Sequence, residues 1–138
     1  MVLPDGQLRV FIVDDNNVIA SSLAMILRLQ GDLDVASFTD PLEALRASQL
    51  QSPDVLISDM LMPNLSGMEL AIQILEHSPK CKVMLLSGDT LSSAAWQQRQ
   101  AGNHNFEVLI KPVHPADLLC SLRRVIDATP ANLSVSQA

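Results

Sequence analysis

The sequence predicts an α/β fold: an open, doubly wound sheet of five parallel strands, covered by helices on both faces in a three-layer α/β/α sandwich. Three observations predict it. Short apolar runs rich in Val, Ile and Leu recur five times, without the polar alternation of half-exposed strands. A segment of helical periodicity follows each run. The chain has 138 residues, the length of one domain, and 48% of them are hydrophobic while 3% are aromatic. The core is therefore built from Leu, Ile, Val, Met and Ala.

Leu8 to Val13 (LRVFIV) is the first strand. Val18, Ile19, Ser22, Met25, Ile26 and Leu29 then fall at helical spacing, which predicts a helix over Asn16 to Gln30 closed by Gly31. Leu33 to Ser37 is the second strand. Asp40-Pro41-Leu42-Glu43 joins an N-cap acid, a first-turn proline and a third-position glutamate. The helix it starts runs to about Leu50 and stops before Ser52-Pro53. Asp54 to Ser58 is the third strand, and the loop Asp59 to Ser66 contains Pro63. A helix over Gly67 to His77 carries Leu70, Ala71, Ile74 and Leu75 on one face. Lys82 to Leu86 is the fourth strand, and Leu91 to Ala101 is a helix closed by Gly102. Phe106 to Ile110 is the fifth strand, and Pro115 to Asp127 is the last helix, with Leu118, Leu119, Leu122, Val125 and Ile126 as its stripe. Residues 1–128 read as one domain and 129–138 as a polar tail or the start of a linker.

Composition excludes several functions. A net charge of −6 with so few aromatics does not suit nucleic-acid binding, which uses basic patches and stacking platforms. No apolar run approaches the roughly 18 residues of a membrane span, and the chain opens with no signal-peptide pattern. Cys81 and Cys120 make no disulfide framework. A reducing, cytoplasmic setting is the expectation.

In a parallel open sheet the site lies at the carboxyl ends of the strands. There the sequence places Asp14 and Asp15, then Asp59, then Ser87 and Gly88, then Lys111 and Pro112. Each alone has a plain reading: an N-cap, a turn, a loop start, a solvated charge. Together they are three carboxylates, a hydroxyl and an ammonium converging on one edge. Clustered carboxylates repel one another unless a cation joins them, and an all-oxygen donor set suits Mg²⁺. A metal beside a nucleophilic carboxylate, with Lys and Ser nearby, is a phosphoryl-transfer arrangement.

These residues carry a resemblance. VDD at 13–15, DVLISDMLMPNLSGMEL at 54–70, LSG at 86–88 and KP at 111–112 resemble the receiver domain of two-component response regulators, over about residues 7–127. The loop Asp59, Met62, Pro63, Gly67 is the most specific part. The resemblance implies a flavodoxin-like strand order 2-1-3-4-5 and five helices. It implies that Asp59 is the phosphoacceptor, and that Asp14, Asp15, Asp59 and the Leu61 backbone carbonyl hold Mg²⁺ or Mn²⁺. Lys111 pairs with Asp59 and then with the phosphoryl group, Ser87 donates to a phosphoryl oxygen, and Lys111-Pro112 is cis. The implied partners are a histidine kinase or histidine phosphotransfer protein and a downstream effector in trans. The chain is a signalling protein rather than an enzyme, with no direct nucleic-acid or membrane contact, as a monomer or weak homodimer.

The sequence departs from the family in places. Val108 stands at the switch position, where the family often has Tyr or Phe. Phe106, on the same strand face, is the nearest aromatic, with core filling as its first reading. The Gly102–Lys111 loop is longer than usual. Trp96 falls off the apolar stripe of its helix: either it covers the neighbouring helix, or it marks a partner surface formed by that helix, the fifth strand and the last helix. The competing reading is a receiver-like interaction module that is not phosphorylated. An aspartyl phosphatase lacks support, because Leu61 cannot serve as its second acid. The length leaves no room for an output domain after residue 127, which favours a stand-alone receiver unless the tail is a linker within a larger protein.

Overall fold

The computed structural model describes residues 7–88 and 106–127. The expected helix over 91–101, Trp96, His104 and the tail 129–138 lie outside the described residues. Five strands form one parallel sheet: β1 (Leu8–Val13), β2 (Leu33–Phe38), β3 (Val55–Asp59), β4 (Lys82–Ser87) and β5 (Glu107–Ile110). Their spatial order is β2-β1-β3-β4-β5, the flavodoxin-like order. Four helices are described: α1 (Asn17–Arg28), α2 (Pro41–Leu50), α3 (Gly67–His77) and α4 (Pro115–Asp127).

Alternate residues of the central strands face two different cores, and this explains why the strands read as unbroken apolar runs. Val10, Ile12, Ile57, Met84 and Leu86 pack with Leu23 and Leu27 of α1 and Leu118 and Leu122 of α4. Phe11, Val13, Leu56, Val83 and Leu85 pack on the other face with Leu70, Ala71 and Ile74 of α3 and Ala44 of α2. Each fully buried Ile or Leu contributes roughly 1.5–3 kcal/mol of hydrophobic stabilisation.

The ends of the elements differ from the sequence expectation in informative ways. Strands β3 and β4 reach Asp59 and Ser87, one residue beyond their apolar runs. Sheet pairing uses only the backbone, so a polar side chain does not end it: Met60 N–H donates to the Leu86 carbonyl, and Lys111 N–H to the Ser87 carbonyl. Strand β2 likewise runs on to Phe38, while β5 begins at Glu107. Helix α1 is capped by Asn16, whose side chain accepts from the Val18 and Ile19 amides, and ends at Arg28 with Leu29 as C-cap. Gly31 lies two residues beyond that cap. The Gln30 and Gly31 amides donate to the Leu27 and Arg28 carbonyls, tightening the exit, and Gly31 takes φ +84°. Asp40 caps α2, with Pro41 in its first turn. A reciprocal capping box starts α3: Ser66 Oγ accepts from the Glu69 amide, and Glu69 Oε1 accepts from the Ser66 amide.

Among the described residues no helix is long and apolar enough to cross a membrane.

Candidate phosphoryl-transfer site

Because all five strands are parallel, their carboxyl ends lie along one edge, and the chain turns from strand to loop there five times. Asp14 follows β1 directly, and the Val13–Ser58 register sets it beside Asp59 at the end of β3. Asp14 is 1% exposed and Asp59 9%, while Asp15 is exposed. The carboxylates of Asp14, Asp15 and Asp59 each offer an oxygen within 4.8 Å of the others, and among the described residues they are the one acidic cluster of this kind.

Lys111, immediately after β5, lies across this cluster. Its Nζ is 3.0 Å from Asp14 Oδ2 and 3.2 Å from Asp59 Oδ1. The ammonium therefore bridges two carboxylates, and the nearer one is Asp14. The other oxygen of Asp14 accepts the Asn16 amide at 2.9 Å. Asn16 thus orients Asp14 through its backbone while its side chain caps α1, so neither aspartate is used as the cap. Asn16 was not singled out from the sequence, although an Asn directly after two aspartates and before a helical run is a capping signal.

Burial pushes the Asp59 carboxyl above its ordinary range; Lys111 works against this, and the Asp14 charge adds to it. A hydrogen bond donated by the Leu61 backbone amide also favours the carboxylate of Asp59. Burial alone would lower the Lys111 ammonium, but its bonds and charge contacts with Asp14 and Asp59 hold it above its usual value. Ser87 is 4% exposed at the end of β4, between the strands that carry Asp59 and Lys111. The Leu61 side chain is exposed, and the Lys111-Pro112 peptide bond is cis.

The loop after Asp59 is held tightly. Met60 is buried, Asn64 takes φ 74°, and the Leu65 amide donates to the Pro63 carbonyl. Gly67 opens α3 against the end of β3. Its amide donates to the Met60 carbonyl at 2.9 Å, and a Cβ at this position would lie 2.2 Å from the Asp59 carbonyl oxygen. Only glycine allows that approach.

Phe106 and Val108 share a face and pack against the core of α2 and α3, whereas Leu109 faces the other core. Of the remaining reactive side chains, Cys81 is buried, which pushes its thiol up to about 12. Cys120 is exposed. His77 Nε2 lies 3.1 Å from Ser48 Oγ, tying α3 to α2, and His114 Nδ1 accepts the Ala116 amide at the start of α4.

A family model described as response regulator receiver domain matches residues 10–123. The C4-dicarboxylate transport transcriptional regulatory protein DctD of Pseudomonas aeruginosa is 33% identical over 123 residues, covering 89% of this chain and 26% of that protein. Among solved structures, the Vibrio cholerae chemotaxis protein CheY4 superposes with TM-score 0.77 at 30% identity, covering 86% of this chain and 98% of its own. The response regulator domain of Thermotoga maritima CheB gives TM-score 0.76 at 28% identity, covering 90% and 99%. The chain spans from about a quarter to about half the length of the curated relatives it matches.

Proposed function

This chain belongs to the receiver domains of two-component response regulators, and on that premise we propose that it accepts a phosphoryl group on Asp59 from a phosphohistidine. The donor is a histidine kinase or a histidine phosphotransfer protein. The observation that carries this reading is the meeting of Asp59 with Asp14, Asp15 and the Lys111 ammonium at one sheet edge. A carboxylate oxygen of Asp59 attacks phosphorus, the P–N bond breaks as the P–O bond forms, and the donor imidazole leaves as the neutral ring after taking up a proton. Lys111 then follows the charge from the carboxylates to the phosphoryl oxygens, and the Ser87 hydroxyl donates to one of them. The all-oxygen cluster fits a hard divalent cation: Asp14, Asp15, Asp59 and the Leu61 carbonyl would hold Mg²⁺ or Mn²⁺. When bound, that ion supplies positive charge against the transferring oxygens.

The surface beside the site supports docking of a protein donor. A groove of about 490 Å³ runs from Gly88, Lys111 and Pro112 to Ile19 and Ile26 of α1. Val18, Met25 and Leu29 of the same helix are exposed. The signal passes to an effector in trans through the face of β5 and α4.

Acetyl phosphate with Mg²⁺ tests the reading, with the intact mass as readout. One phosphoryl group should add to the wild type and none to Asp59→Asn or Asp59→Ala. EDTA should abolish the addition. Labelling retained in either variant removes Asp59 as acceptor, and labelling in EDTA removes the metal role of Asp14 and Asp15. An unlabelled wild type would favour the competing interaction module, for which Val108 at the switch position speaks.

A further inference from the structure

Strand β2 is an outer strand of the sheet, and its outer edge is long and regular. It pairs with β1 from Leu33 to Phe38 with no bulge. The Leu8 amide donates to the Asp32 carbonyl and the Asp14 amide to the Phe38 carbonyl. The even-numbered carbonyls of β2 therefore turn toward β1, and the backbone groups of Leu33, Val35 and Ser37 turn outward. Such edges are ordinarily blunted by lysine, proline, a bulge or shortness. The opposite outer strand, β5, has only four residues, but β2 has six, without Lys or Pro. What β2 has is Arg28. This last residue of α1 donates from its guanidinium to the Val35 carbonyl at 2.9 Å, the middle one of the outward set. Among the described residues it is the one side chain hydrogen-bonded to that edge.

We propose that Arg28 is a plug on the β2 edge that keeps the chain from pairing, strand to strand, with a second copy of itself. A two-fold axis at Val35 would set Leu33 of each copy opposite Ser37 of the other, so the outward donors and acceptors match without a second sequence. The charged side chain of β2 itself, Asp34, is ion-paired with Arg9 at 3.4 Å. The apolar surface beside the edge favours the pairing. Phe38, Ala47 and Leu50 line a groove there beside Arg9, Asp34 and Gln51, and Leu50 is 87% exposed. An added strand would extend the groove floor and shield that surface from water.

Arg28→Met keeps the apolar stem and removes the donors. A charge-assisted hydrogen bond corresponds to about tenfold or more in an equilibrium constant. Sedimentation equilibrium should therefore show self-association of Arg28→Met at least about tenfold tighter than wild type. Amide exchange at Leu33, Val35 and Ser37 should slow as concentration rises. Adding Ser37→Pro, which removes an outward N–H at an exposed position, should restore wild-type behaviour. An Arg28→Met protein that associates no more than wild type, or a dimer that survives Ser37→Pro, overturns the proposal. If circular dichroism shows Arg28→Met unfolded, Arg28→Ala is read by the same two outcomes.

Discussion

Asp59 occupies a place that favours its protonated form, because burial and the Asp14 charge outweigh the Lys111 ammonium. A carboxyl whose pKa is raised on folding opposes stability once ionised. That opposition is complete above the folded pKa and fades as pH falls through it toward the unfolded value of 3.8. Asp59→Asn, in metal-free buffer, should therefore be more stable than wild type at pH 7. The gain should shrink as the pH is lowered through the carboxylate range. Urea titrations at pH 7 and pH 4 check it, and a gain that grew toward acid would contradict the sign. Lys111 softens the strain at the same place: one ammonium serves two carboxylates, and its own raised pKa keeps it charged across the neutral range.

At the scale of elements, the start of α3 ties the loop after Asp59 to the sheet by two separate devices. The capping box of Ser66 and Glu69 satisfies helix amides at an exposed end, so Ser66→Ala should cost about 1 kcal/mol. Gly67 acts by contact instead. A methyl group there meets the backbone of β3 itself, at 2.2 Å from a carbonyl oxygen that cannot rotate away. Gly67→Ala should therefore cost more, on the order of 2–4 kcal/mol, and disturb the Asp59 resonances in NMR spectra that Ser66→Ala leaves in place. Much of this level was legible in the sequence. The central strands stood out because two cores demand apolar residues on both faces through the middle of β1, β3 and β4. The site stood out because parallel strands gather their carboxyl ends. The Lys111 bridge to Asp14 was not legible, since it depends on side-chain reach between residues 97 apart. Nor was the division of labour at Asn16, where backbone and side chain serve different partners. The one-residue overruns of β3 and β4 escaped for a related reason: a ladder built from backbone is blind to the Asp or Ser that ends it.

For the whole molecule, the proposed metal site links occupancy to global stability. An ion that binds only the folded chain stabilises it by about 2.7 kcal/mol at a hundred times its dissociation constant. Mg²⁺ should accordingly raise the thermal midpoint of wild type in a concentration-dependent way, and raise that of Asp14→Ala/Asp15→Ala much less. Equal shifts in the two proteins would separate the stabilisation from the acidic cluster. The same arithmetic limits what phosphorylation can do by itself. Taking a population from 1:99 to 99:1 needs about 5.5 kcal/mol, and each charge-assisted hydrogen bond from Lys111 or Ser87 gives roughly 1.5–3. The proposed modification should therefore shift the balance only part of the way, leaving the proposed effector to complete it on binding.

The glycine contact between α3 and β3 has a mechanical meaning. Ordinary helix–sheet contacts are cushioned by side chains that can change rotamer and absorb a displacement, but here backbone rests on backbone. On its other flank the strand carrying Asp59 is paired with β1, whose Phe11 ring meets Phe38 of β2 at 5.0 Å. This half of the molecule is therefore built to resist displacement beneath Asp59. If Asp59 takes up a phosphoryl group as proposed, the side where Ser87 and Lys111 stand should yield first.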